Sequence, residues 1–145
     1  MFRLALVVML VAVAPFALVA CGGGEEKATT ETAGEERITC RADAFNGDLG
    51  LPANFPKPPE FTATDSRQEG PTRVVEGYWE SRLEEAYREW KDMVEEAGFD
   101  VTFDEMEEHD AEVAYKGSGR TGLIALRDRC TEDEVTYVRI TSRPE

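Results

Sequence analysis

The chain has 145 residues, with 30 Asp+Glu against 16 Lys+Arg and a formal charge of −14. So acidic a chain repels nucleic acid and anionic lipid, which excludes both as binding partners for its folded part. About 105 residues from Cys40 onward suffice for one modest core and not for two domains.

The chain opens MFRLALVVMLVAVAPFALVA, one cation (Arg3) followed by an apolar stretch from Leu4 to Ala20 that is broken only by Pro15. A charged start, a short apolar core and small residues at the end make an export signal. As a membrane span the stretch is at the short limit, and no basic stop-transfer cluster follows it. Its last residues, Leu18-Val19-Ala20-Cys21, resemble the lipobox of bacterial lipoproteins. That resemblance covers Met1 to Cys21. It implies cleavage before Cys21, a diacylglycerol on its sulfur and an acylated new amine, hence a protein anchored by lipid on the extracytoplasmic face of a membrane. An ordinary secreted protein cut near Ala20 is the alternative. Two or three buried acyl chains hold a protein stably, at about 0.8 kcal/mol per methylene. Gly22 stands where an aspartate would resemble an inner-membrane retention signal, so retention is not signalled.

Residues 1–20 are thus read as a removed signal peptide, 21–38 as the lipidated cysteine and an acidic tether, and 39–145 as one α+β domain. Within 22–37, GGGEEKATTETAGEER has five glutamates and no Leu, Ile, Val or aromatic residue, so it cannot offset its ordering entropy by burial. Sixteen such residues span roughly 20–24 Å as a coil. Removal of the signal takes away Arg3 and no acid, leaving a formal charge of −15. With Cys21 lipidated, Cys40 and Cys130 remain, and in an oxidising compartment they are expected to pair. Two free thiols or half a metal site are the alternatives; no CxxC pair exists and His109 is the lone histidine.

Residues 52–59, PANFPKPP, read as a stiff extended lead-in. Strands are expected over Phe61–Thr64 and Thr72–Trp79. A helix follows from Arg82 to Ala97, opened by a Ser81/Glu84 capping box and closed at Gly98. Leu83, Ala86, Tyr87, Trp90, Met93, Val94 and Ala97 form its apolar stripe, with Glu84 and Arg88 paired on the outer face. Further strands are expected over Asp100–Phe103, Glu112–Lys116, Leu123–Arg127 and Glu134–Thr141. Leu123-Ile124-Ala125-Leu126 is apolar on both faces and reads as a central strand. The order β-β-α-β-β-β-β with short connections predicts a single helix on a curved antiparallel sheet.

Gly117-Ser118-Gly119-Arg120-Thr121-Gly122 satisfies GxGxxG, but a strand-like run follows it where a dinucleotide site needs a helix, so it reads as a glycine-rich hairpin turn. It also fails as a serine elbow, since Lys116 and Arg120 flank Ser118. No serine or cysteine triad can be built around the single His109. Asp104, Glu105, Glu107, Glu108, Asp110 and Glu112 put six carboxylates within nine residues. Calcium is the cation that would suit them, yet the glycine spacing of a calcium loop is missing, and a solvated hairpin turn is the plainer reading. A paired-carboxylate hydrolase would need two of these groups facing each other across a substrate.

Function is therefore expected to be that of a lipid-anchored, non-catalytic interaction or structural module without a cofactor, meeting an envelope protein partner through the sheet face or edge that the helix leaves uncovered. Trp79 and Tyr115 are the aromatic candidates for that surface, although residues of both types more often belong to a core. A binder of calcium or a cationic small ligand through residues 104–112 is the alternative, and a small envelope hydrolase the second.

Overall fold

The computed structural model describes residues 36–145. The signal segment, Cys21 and nearly all of the tether lie outside them. Six strands and one helix follow in the order β1 (Phe61–Glu69), β2 (Thr72–Trp79), α1 (Leu83–Glu96), β3 (Asp100–Met106), β4 (Asp110–Gly117), β5 (Arg120–Arg127) and β6 (Thr136–Pro144). The strands form one antiparallel sheet of order β1-β2-β6-β5-β4-β3. β6 closes the sheet's centre by entering between β2 and β5, and β5 is an interior strand as its two-sided apolarity requires.

α1 packs on β3, β4 and β5. Leu83, Ala86, Trp90 and Val94 are buried, while Tyr87, Met93 and Ala97 border the core. Fully burying a Leu or Val of this stripe contributes about 1.5–3 kcal/mol. The helix ends as its sequence dictates. Gly98 takes φ +85°, its N–H donates to Glu95 O, and the Phe99 N–H donates to Val94 O. This is a Schellman closure with Phe99 and Val94 in apolar contact.

The helix start differs from the expected capping box. Arg82 is the N-cap and no side chain caps it, the Ser81 hydroxyl reaching Arg82 O instead. Tertiary contacts set the entry: Thr136 Oγ1 donates to Ser81 O at 2.9 Å, and Arg82 pairs with Glu134 at 2.8 Å. Glu84 is left to pair with Arg88 at 2.8 Å.

The Pro-rich lead-in does more than stiffen the chain. Phe55 within it is 3% exposed and packs against Trp90, Phe99 and Tyr115, with ring centroids 5.2–6.1 Å apart. Leu49 and Leu51 join the same core, and the Phe45 N–H donates to Ala63 O on β1. Segment 41–60 thus covers part of the helix-side face near β1 that α1 does not reach.

Several strands outrun their expected limits. β1 extends through polar Ser66–Glu69, where Arg67 binds Asp65 and Glu69 along its own strand and Glu76 across the hairpin. β3 runs on to Met106, so the acidic stretch is mostly strand and only residues 107–109 form the turn.

Candidate functional site

Register sorts the side chains onto two faces. Val75, Trp79, Val113, Tyr115, Ile124, Leu126, Val138 and Ile140 face the helix side and are fully buried. Trp79 and Tyr115 are therefore core residues, which corrects their expected place on the uncovered surface. Tyr115 lies over Gly122 of β5, its phenol donating to Thr141 O at 2.9 Å. Burial in that slot pushes its hydroxyl pKa up to about 12.

The other face carries no helix. Across it run two registered rows, Asp65–Glu76–Arg139–Ala125–Glu112–Glu105 and Arg67–Val74–Thr141–Leu123–Ala114–Phe103. Val74 in the second row is 1% exposed, and its cross-strand neighbour Arg67 is paired with Asp65, Glu69 and Glu76. Arg127 binds Glu112 at 2.9 Å and approaches Asp110 at 3.6 Å; Arg139 lies 3.8 Å from Glu76. Hydrogen bonding to Arg67 holds Glu76 below the usual carboxylate range. Burial, helped by Glu76, pushes Tyr137 up to about 12. A depression of about 410 Å³ lies among Leu123, Ala125, Tyr137, Glu112 and Arg127. Arg129 and Arg139 also line it, so three guanidinium groups stand against the one carboxylate of Glu112.

One end of this face is closed by a second, small core. Cys40 and Cys130 form a disulfide, packed with Val135 and flanked by Ile38, Tyr78 and Tyr137. Ile38 makes a parallel bridge to Cys130, and the Arg37 guanidinium donates to Cys130 O. Glu36 O accepts from the Arg129 guanidinium as well, so the last two residues of the stretch 22–37, read as tether, make contacts with the domain. The Glu132 carboxylate accepts the backbone N–H groups of Arg41 at 2.9 Å and Cys40 at 3.1 Å, which draws its pKa down to about 2. The chain enters the domain clamped beside the β5–β6 connection.

The two edges differ. β1 receives the Phe45 N–H on its outer side and is partly covered. β3 pairs only with β4, and among the described residues nothing pairs with its outer edge. On it stand the two exposed large apolar side chains, Phe103 at 50% and Met106 at 40% exposure. Phe103 ends the row that contains Leu123 and Ala114, so it extends the uncovered face to the sheet margin. A register shift at Thr102 bulges the strand just before it.

The acidic residues do not converge. Asp104 points to the helix side, binding Lys91 at 2.8 Å and the Tyr87 hydroxyl, and these bonds lower its pKa. Glu105 lies opposite Glu112 on the other face, where Arg127 holds Glu112 and approaches Asp110. Glu108 is 3.8 Å from exposed His109 at the turn, and the Glu107 N–H donates to Asp110 O. Among the described residues the one grouping close enough for a metal is Cys40, Cys130 and Glu132, whose sulfurs are joined in the disulfide.

The GxGxxG stretch is a two-residue hairpin turn between β4 and β5, with Ser118 at φ +54° and Gly119 at φ +68°. Both central residues take positive φ, as a type I′ turn requires. The lead-in leaves a depression of about 460 Å³ against β1, lined by Phe45, Leu49, Leu51, Phe61, Asp48 and Lys57. Its two charged groups are of opposite sign.

Sequence reasoning missed Phe103 and Met106 as surface residues and Phe55 as a core residue. An isolated aromatic in a strand edge or a Pro-rich segment gives no periodic signal; only the sheet order identifies it. No family model matches the chain, and neither a curated protein nor a solved structure resembles it significantly.

Proposed function

We propose that the protein is a lipid-anchored, extracytoplasmic interaction module without catalysis, which meets an envelope protein through the uncovered sheet face and its free edge. One observation carries the reading: the two large apolar side chains left exposed among the described residues, Phe103 and Met106, sit on the same unpaired edge strand. Exposed apolar groups on an open edge cost solubility and invite pairing, so their retention there favours a recognition role. The lipobox-like Leu18–Cys21 and the oxidised Cys40–Cys130 pair support the compartment. A calcium-binding role has less support, because the carboxylates are divided between two faces.

The test is site-specific photo-crosslinking in cells from position 103, with position 89 on the outer helix face as control. A discrete adduct from 103 alone, together with palmitate labelling that Cys21→Ala abolishes, is the expected result. Equal adducts from both positions refute the module, and labelling that survives the Cys21 change refutes the anchor.

A further inference from the structure

We propose that the occupant of the β3 edge is an extended basic segment of a partner protein, added antiparallel or parallel as a seventh strand. This rests on the interaction-module reading and specifies the partner's chemistry. Three observations combine. The outer edge of β3 is unpaired, so its N–H and C=O groups can form a further ladder. Phe103 and Met106 offer apolar anchorage on opposite faces, since Phe103 registers with Ala114 and Met106 with core residue Ala111. And the strand, Asp-Val-Thr-Phe-Asp-Glu-Met, contains acids and no base.

The distribution of pairing sharpens the charge argument. Lys91 occupies Asp104, and Arg127 occupies Glu112. Asp100, Glu105 and Glu107 have no ion pair among the described residues, and Glu105 faces Glu112 across the ladder. Arg127 already compensates Glu112, which leaves Glu105 without a cation of its own on this face, and a Lys or Arg on an added strand would supply one as a cross-strand pair. A second copy of this chain would bring another acidic β3 and its excess negative charge to the same edge. That disfavours self-pairing and selects a basic strand.

Geometry also sets the spacing. Phe103 and Glu105 share the uncovered face, two residues apart. A matching strand therefore presents an apolar residue and a Lys or Arg two positions apart on that face. The bulge at Thr102 interrupts the ladder on its N-terminal side, confining good pairing to Phe103–Met106 and the turn beyond.

The experiment uses the full chain in detergent, with two fluorescent peptides as probes: Val-Thr-Lys-Thr repeats, which set Val and Lys two positions apart on one strand face (the Val-Lys peptide), and Val-Thr-Glu-Thr repeats (the Val-Glu peptide). Anisotropy measures binding, hydrogen exchange locates protection, and sedimentation reports self-association. The Val-Lys peptide is expected to bind and to protect β3 amides, with the Val-Glu peptide inert. Phe103→Ser should weaken binding about tenfold, by loss of the anchor. Glu105→Lys should weaken it about fivefold, by reversal of a cross-strand pair. Protection elsewhere, equal binding of both peptides, or loss of affinity without dependence on Phe103 overturns the proposal. So does concentration-dependent dimerisation that Phe103→Ser abolishes, which would assign the edge to a second copy. If the Val-Lys peptide fails to bind while position 103 still crosslinks in cells, the basic strand is wrong and the module stands; if both fail, both fall.

Discussion

Replacing Cys40 and Cys130 together by alanine tests how the N-terminal clamp contributes to stability. The disulfide joins residues 90 apart in sequence. In the chain-entropy model, a loop of that size withholds about 4–5 kcal/mol of conformational freedom from the unfolded chain. Cys130 is fully buried, so the lost sulfur also leaves a small void, adding about 1 kcal/mol. Against this, the unfolded reference keeps residual structure, which lowers the entropic part. A net loss of about 3–5 kcal/mol follows, a large share of the roughly 5–15 kcal/mol available to such a domain. The assay is equilibrium urea unfolding followed by tryptophan fluorescence, since Trp79 and Trp90 are both fully buried. The entropic mechanism makes a second, independent demand. The m value must rise, because the unlinked chain exposes more surface when it unfolds. A loss below about 1 kcal/mol with unchanged m would refute the reasoning. It would mean that the Ile38 bridge and the Glu132 clamp already hold the segment, or that the unfolded chain keeps its ends together.

Gly122→Ala should destabilise the domain by about 1–3 kcal/mol, since a Cβ there would lie 2.0 Å from Thr141 O and 2.6 Å from the Tyr115 ring; thermal melts of the variant and parent give the comparison, and equal melting temperatures sink the account of the Tyr115 slot. Tyr115 and Tyr137 both have folded pKa values raised from 10.0 to about 12. Their neutral forms are favoured by folding, so their contribution is fully present below pH 10 and lost as pH rises to about 12. Ultraviolet titration should show these two phenols ionising last, with stability falling across that interval; ionisation of all tyrosines together near 10 contradicts it. Calcium should leave the melting temperature unchanged, because the 104–112 carboxylates are split between faces, with Asp104 held by Lys91 and Glu112 by Arg127. A calcium-dependent rise that Glu107→Gln, Glu108→Gln and Asp110→Asn abolish would restore the cation-binding reading.

The helix was legible because seven apolar residues at helical spacing leave no other way to bury them, and Gly98 marks the end in a form that local geometry enforces. Its start was not. A Ser-x-x-Glu box is a local preference worth about 1 kcal/mol, and the contacts of Thr136 at the start of β6 and of Glu134 just before it override it. Strand existence was legible as well, and face assignment was not. β2 places Val74 beside Val75 and Tyr78 beside Trp79, so both parities read as apolar. Only the register with β1 and β6 shows that Trp79 belongs to the core and Tyr78 to the disulfide cluster. Phe55 escaped for a related reason, since one aromatic among prolines has no period to betray it.

The edge was the least legible feature, because which strand ends a sheet depends on where β6 inserts, a pairing between segments more than 50 residues apart in sequence. Once β3 is at the edge, its acidity takes on two roles. An edge strand bearing acids and a bulge is protected against its own copies, the ordinary reason for such devices. The same acids lower the free energy of a strand of opposite charge, so the protection is selective rather than general. Selection of this kind is electrostatic and surface-exposed, and salt screens it over a Debye length of about 8–10 Å at 0.1–0.15 M. Association at the β3 edge should therefore weaken steeply with salt, while the apolar contribution of Phe103 persists. An edge whose binding ignored ionic strength would be recognised by shape and burial alone, and its acids would then be protective and nothing more.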